Sequence, residues 1–490
     1  VLSREDTAAS LIQRGRAEEA LELIEGEAKR PGAPYATLAC YSNALKALQR
    51  MDECATVRRQ AALAYPTIGV AWHNLASILG DLGSNREAIE SCERGFAAGL
   101  DAPETWLVYA RALAYEGQPT AALDALSEAL SRRGEYPEAL TEKARLIWSM
   151  TGDAQQAIAV FPRTPAHALG VAGILRQVGQ TETALAILQQ AASERPGDIS
   201  ILLGVANAAL EVGDVDQAEQ AAFAARRLAP SNSSALEMWA ITSLATGKVD
   251  EALSASRLLL DLQPTSQAAL AMRATAARMA GSPEYGDLYD YDALVSVGDI
   301  AAPPGWDSRE GFLVELSAVV SALHQEARTP LGQSLRHGTQ TTQDLRVSRS
   351  PVIKAFFAAI DPLIRAHIEK LGPGDDPVRK RRREHHAISG CWSIQLSAGG
   401  HHVDHMHPRG WLSSAFYVDV PADLQNSDAR EGWLQFGKPS FPTSPAIAAD
   451  HFVQPVPGRL VLFPSYMWHG TVPFWSPSPR TTIAFDVVPA

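Results

Sequence analysis

Between Gly400 and Pro408 the chain reads Gly-His-His-Val-Asp-His-Met-His-Pro, which sets the imidazoles of His401, His402, His405 and His407 around the carboxylate of Asp404. His469 stands far downstream in Phe463-Pro464-Ser465-Tyr466-Met467-Trp468-His469, and Arg480 follows it. Six of the 13 histidines fall between residues 385 and 407, a concentration that core packing does not require. Two histidines and one carboxylate on one face are the common donor set of a mononuclear Fe(II) site with open positions for small reactants. An arginine nearby would dock an acid.

Residues two apart on a strand face the same way, so His405 and His407 share one face and His402 and Asp404 the other. Two ligand sets therefore compete. His402, Asp404 and His469 give two histidines and a carboxylate; His405, His407 and His469 give three neutral ligands. A histidine left out of the set would instead orient a ligand.

These residues need a rigid frame, and from about residue 386 the hydrophobic period changes from helical to alternating. Eight strands are expected, near 389–398, 402–406, 411–420, 432–437, 451–454, 459–463, 469–474 and 480–488. Amphipathic helices near 308–327 and 351–371 bracket a polar stretch from Gln333 to Thr342. Eight strands behind supporting helices suit a jelly roll of the double-stranded β-helix kind, with a barrel over 386–490 in a domain over 308–490.

Ahead of it lies a repeat in which a glycine precedes an alanine by five positions, at Gly15/Ala20, Gly83/Ala88, Gly117/Ala122, Gly152/Ala157, Gly179/Ala184, Gly213/Ala218 and Gly247/Ala252. Pro196, Pro230 and Pro264 recur at the same spacing, and Trp72, Trp106 and Trp239 mark first helices. Each unit reads as helix, glycine turn, helix and proline stop. Arg50 and Ala55 are read as the irregular second unit, and the unit near Phe161-Pro162-Arg163-Thr164-Pro165 as truncated. About eight units and a capping helix (267–280) fill 1–282, and 283–307, with Tyr285, Tyr289 and Tyr291, reads as a connector. The fold class is thus multidomain α + β, with an all-α solenoid in front of the barrel. Its groove predicts a peptide or protein partner.

With 55 acidic against 43 basic residues and a net charge of −12, the chain lacks the basic surface that nucleic-acid binding requires. Cys40, Cys54, Cys92 and Cys391 show no paired spacing, which fits a reducing cytoplasm. No apolar run is long enough for a membrane span, and no secretory leader is read in a sequence that begins at Val1. The basic run Arg379-Lys380-Arg381-Arg382-Arg383 is expected to be a solvated loop, or else a contact for an acidic peptide or for the acidic repeats.

The run Gly399 to Val418, the blocks Pro457-Gly458-Arg459-Leu460-Val461-Leu462-Phe463-Pro464 and Trp468-His469-Gly470, the segment Gln333 to Thr339 and the 34-residue repeat resemble bacterial 2-oxoglutarate/Fe(II) oxygenases that carry tetratricopeptide repeats in front. That resemblance implies Fe(II), 2-oxoglutarate and dioxygen as cofactor and cosubstrates. It favours His405, His407 and His469 as metal ligands, with Asp404 and His402 in reserve. Arg480 and Thr482 would hold the distal carboxylate of 2-oxoglutarate, helped by Tyr417 or Gln395. Trp392, Trp411 and Trp468 would line a dry cavity. No catalytic side chain beyond the metal centre is expected.

The leading expectation is a hydroxylase acting on a peptide or protein recruited by the repeats. A small-molecule oxygenase with scaffolding repeats, and a silent barrel beside an interaction module, are the other readings. A three-histidine thiol dioxygenase is a further one, against which Arg480 argues.

Overall fold

In the computed structural model the chain is described over residues 3–48, 50–324, 334–341, 343–425 and 429–489. Gln333, Thr342 and the end of the helix expected near 308–327 lie outside those residues. The chain divides into two compact units, Val1–Val160 and Phe161–Ala490.

The first unit is built from paired helices, from Arg4–Gln13 with Ala17–Ala28 to Pro137–Thr151 with Ala154–Ile158. Further pairs open the second unit, among them Ile199–Val212 with Val215–Leu228 and Ser233–Ala245 with Val249–Leu262, before the helix Gln267–Met279. All seven turn glycines hold φ between 66° and 86°, a region costly for residues with a Cβ. All seven partner alanines are fully buried, because a larger side chain there would hold the paired helices apart.

One register is corrected. Arg50 caps the helix Met51–Ala64 as Arg16 caps Ala17–Ala28, so Arg50 aligns with Arg16 and not with the glycine's place. Cys54, fully buried, takes the alanine's. The short unit is real: its second helix stops after five residues, Ala154–Ile158.

Among the described residues, nine strands follow in the second unit: β1 (Ser296–Asp299), β2 (Leu335–Gln340), β3 (His386–His402), β4 (Leu412–Asp419), β5 (Leu434–Phe436), β6 (His451–Val453), β7 (Arg459–Pro464), β8 (His469–Thr471) and β9 (Arg480–Pro489). They form an antiparallel six-stranded sheet in the order β1-β7-β4-β9-β3-β2 and a three-stranded sheet β6-β5-β8, an arrangement consistent with a jelly roll. The connector contributes β1 and the polar stretch β2, neither of which alternates enough to be read as a strand. The strand expected at 402–406 is absent. β3 ends at His402, the chain bends at Asp404, and one bridge between His405 and His469 remains.

Helices Arg309–Ala322 and Pro351–Leu371 support the larger sheet, with Phe356 packed 5.0 Å from Phe416 of β4. The basic run ends the second of these helices. Arg379 Nε donates to Leu371 O (2.6 Å), Arg382 Nε to Ile368 O (3.1 Å), and an Arg381 amine to Gly410 O (2.9 Å). Carbonyls at a helix C-terminus lack partners within the helix and attract cations. Three of the arginines are therefore tied to the main chain, while Lys380, Arg382 and Arg383 stay exposed, so the run is a solvated loop anchored to the end of this helix.

The last repeat helix and the connector hold the turn that precedes β8. Trp468 Nε1 donates to Thr275 Oγ1 (3.0 Å), the Trp468 amide to Tyr289 Oη (2.8 Å), and Tyr466 Oη to Leu288 O (2.6 Å). Asp450 accepts from the hydroxyls of Tyr285 and Tyr291, each at 2.6 Å. Arg278 reaches Gly437 O at 2.9 Å. The three bonds made by Trp468 and Tyr466 are buried, so an unmade one is costly. Tyr289→Phe strips the Trp468 amide of its acceptor and is expected to destabilise this turn by about 1–3 kcal/mol. Faster hydrogen exchange at the Trp468 amide would register that loss; unchanged protection would refute it.

Candidate metal centre

Three backbone contacts assemble the histidines. The His405 amide donates to His469 O (2.9 Å), the His469 amide to His405 O (3.0 Å), and the His407 amide to Ser465 O (2.9 Å). Directly opposed residues of an antiparallel pair project their side chains to the same face. The rings of His405 and His469 accordingly lie 4.3 Å apart, and His407, two positions on, completes the group. One nitrogen from each of the three lies within 4.8 Å of the others.

Their orientation follows from what each Nδ1 meets. His405 Nδ1 lies 2.8 Å from Val403 O, His469 Nδ1 2.9 Å from Met467 O, and His407 Nδ1 2.6 Å from Asp486 Oδ1. Carbonyl and carboxylate oxygens only accept, so each Nδ1 carries a proton and Nε2 is the nitrogen left to bind a metal. His405 Nε2 and His407 Nε2 stand 3.3 Å apart. Burial pushes His405 down to about 3, with the His407 ring adding to the effect, and burial holds His469 well below the usual histidine range. Facing lone pairs repel unless a cation lies between them. The donor set fits a divalent metal of the kind imidazole binds.

The reserve residues part company. Asp404 turns from the group: its Oδ1 accepts from Gln435 Nε2 (2.8 Å), and Lys438 Nζ lies 3.6 Å from Oδ2. His402 does not share its face. It lines the same cavity as the other histidines, with Nδ1 3.0 Å from Ser334 Oγ. The bend after His402 breaks the alternation on which the pairing of His402 with Asp404 rested.

The cavity, about 470 Å³, lies in the usual range of about 300–1,000 Å³ for small-molecule sites. Register across the larger sheet explains its wall. Gln340 of β2 pairs with Ile394 of β3, Ile394 with Thr482 of β9, and Thr482 with Tyr417 of β4, and all four line the cavity. Gln395 belongs to the next row, where its amide meets Thr481 Oγ1 at 3.4 Å, outside the cavity. An amide is supplied instead by Gln340, which sequence reasoning missed because β2 is not legible as a strand. Among the expected tryptophans, Trp392 lines the cavity, whereas Trp411 donates to Val378 O (2.9 Å) and Trp468 to Thr275.

Arg480 opens the inward face of β9 and is only 3 % exposed. One guanidinium nitrogen donates to Gly432 O and another lies 3.4 Å from Thr471 Oγ1, while Nε has no partner. Burial lowers its pKa, and the Tyr417 ring, 5.6 Å from the guanidinium carbon, partly offsets that. Among the described residues no carboxylate pairs with Arg480. A buried cation without a counter-ion is costly, so the cavity is built to receive an anion. Asp486, at the far end of the same inward face, was also missed.

A family model described as "Putative 2OG-Fe(II) oxygenase" matches residues 390–486, and three tetratricopeptide-repeat models match residues 70–97, 103–146 and 175–238. The chain therefore carries tetratricopeptide repeats and, C-terminal to them, a domain of that oxygenase family. No curated protein matches. Among solved structures, a tetratricopeptide repeat protein from Parabacteroides merdae is 15 % identical over 49 % of this chain and 97 % of its own, with a TM-score of 0.34. The C-terminal part of a repeat protein from Cytophaga hutchinsonii is 15 % identical over 47 % and 98 %, with a TM-score of 0.31. No helix among the described residues is long and apolar enough to cross a membrane.

Gly470 makes the histidine bridge sterically possible. A Cβ there would stand 2.6 Å from Asp404 Oδ1 and 3.0 Å from His402 O. Gly470→Ala retains all three histidines yet is expected to weaken Co(II) binding about tenfold or more by forcing β8 from the 402–405 segment. A Co(II) absorption titration with wild-type affinity would rule out this dependence.

Proposed function

We propose that this chain, which joins tetratricopeptide repeats to a 2OG-Fe(II) oxygenase-family domain, is an Fe(II)- and 2-oxoglutarate-dependent oxygenase that hydroxylates a peptide or protein brought in by the repeats. One observation carries the reading: three Nδ1-anchored imidazoles and an unpaired, buried arginine share one cavity.

His405, His407 and His469 would hold Fe(II) through Nε2. Bound there, the iron would couple oxidative decarboxylation of 2-oxoglutarate by dioxygen to oxidation of a substrate C–H bond. Arg480 grips the distal carboxylate of the oxo-acid, where its fork geometry matches the two oxygens. Thr482 and Tyr417 orient that end, and Gln340 adds an amide on the same row. Ile394, Leu434 and Trp392 keep water from the space between Arg480 and the histidines. The repeats support a polypeptide substrate because stacked helix pairs of this kind generally hold extended segments of a partner.

Two variants separate the components. His469→Ala is expected to abolish both metal retention and succinate formation. Arg480→Ala is expected to keep the metal but to weaken 2-oxoglutarate binding by about 2–5 kcal/mol, from roughly thirtyfold to several thousandfold. Succinate formation with iron and ascorbate, read beside metal content, checks both. Wild-type protein that holds iron but makes no succinate with any peptide fraction or without one would overturn the reading.

A further inference from the structure

The three proposed ligands are neutral, whereas the common Fe(II) oxygenase set includes a carboxylate. Asp404, the acid nearest in sequence, is spent on Gln435 and Lys438 on the other side of the chain. The acid that touches the group comes from β9. Asp486 Oδ1 lies 2.6 Å from His407 Nδ1 and accepts from Ser413 Oγ at 2.8 Å, and Ser413 Oγ is 2.9 Å from Ser465 Oγ. Its side chain is 15 % exposed and lines the cavity.

His405 and His469 have their rings fixed by main-chain carbonyls, which shows that fixing a ring needs no charge. His407 alone among the three is fixed by a carboxylate. We infer that Asp486 is a positioning residue that supplies, through the ring of His407, the negative charge that a carboxylate ligand would otherwise bring to the metal. This inference rests on the proposed metal centre. The histidines with Asp486 then carry the same net charge as two histidines and one carboxylate, displaced by one imidazole. A carboxylate on the far nitrogen also raises the basicity of the ligating one. The serines hold the carboxylate in place: Ser413 donates to the oxygen that faces His407, and a side chain at Gly410 would collide with Ser465.

Asp486→Asn separates charge from shape, since its amide oxygen can still accept from His407 Nδ1. In the full-length protein this variant is expected to bind Co(II) and Fe(II) about 10- to 100-fold more weakly. It should also raise the Fe(III)/Fe(II) midpoint potential, because the more highly charged ion loses more from removal of an anion. A purely structural role predicts no such rise.

Affinity and potential within twofold and within error of wild type for Asp486→Asn would overturn the inference. Failure of wild type to bind either metal would instead overturn the proposed function. If Asp486→Asn does not fold, the wild-type protein still decides: a strongly downfield His407 Nδ1 proton in histidine-selective NMR supports the inference, and a His407 Nδ1 that carries no proton in the metal-free protein refutes it.

Discussion

Two backbone hydrogen bonds between His405 and His469 organise everything that could be chemical in this protein. They oppose the first and last members of the histidine group across a gap that no sequence proximity would close. The bridge is isolated, with no strand continuing on the 402–405 side, so it draws little from sheet cooperativity. Its support is lateral. Gly470 allows the close approach, Ser465 receives the His407 amide, and Trp468 is held by Thr275 and Tyr289. The Phe463 ring, 4.6 Å from His469, covers that ligand from the side of β7. The geometry of the histidines is therefore set by the packing of the β7–β8 turn against helices from the repeat region of the same compact unit.

The cavity has a polarity that matches two different tasks. Around the histidines, imidazole lone pairs and the Asp486 carboxylate favour a cation. At the Arg480 end a buried guanidinium, flanked by Tyr417 and Phe474, favours an anion. Both partners lie on the inward side of β9, which alternates Arg480, Thr482, Ala484 and Asp486 toward the cavity. Separating the two by the small residue Ala484 leaves room between them. One strand thus sets both charges and the distance that divides them, and a slip of one residue in its pairing with β3 would turn all four outward.

Local patterns were the legible part of the sequence. The repeats announce themselves because each turn needs a positive φ and each helix crossing needs a small residue, and both demands recur within one unit. The histidine cluster and Arg480 were equally plain, being rare residue types at close or suggestive spacing. What failed depended on register. Gln340 escapes a reading that points to Gln395, because β2 carries Arg336, His337, Gly338 and Thr339, and nothing in that polar run says strand. His402 and Asp404 were assigned to one face because alternation was extended past the point where the strand stops. Asp486 sits in an apolar strand 79 residues from the histidine it touches, and only the pairing of β4 with β9 brings it there.

The tyrosines of the connector show why composition alone misjudged that segment. As a sequence, 283–307 has the proline and glycine content of a linker. In the fold, burial raises the phenols of Tyr289 and Tyr466; Tyr289 accepts from the Trp468 amide in the turn before His469, and Tyr466 of that turn donates to Leu288 O of the connector. Tyr291 stacks 4.3 Å from His451 of β6 while its hydroxyl meets Asp450. A linker leaves its polar groups to water alone, but these are paired, Tyr289 and Tyr466 in the interior. The segment is therefore part of the barrel's structure, and through it the last repeat helix bears directly on the residue beside a candidate metal ligand. Any ligand that shifts the helix Gln267–Met279 must do so against these bonds, or carry Trp468 with it.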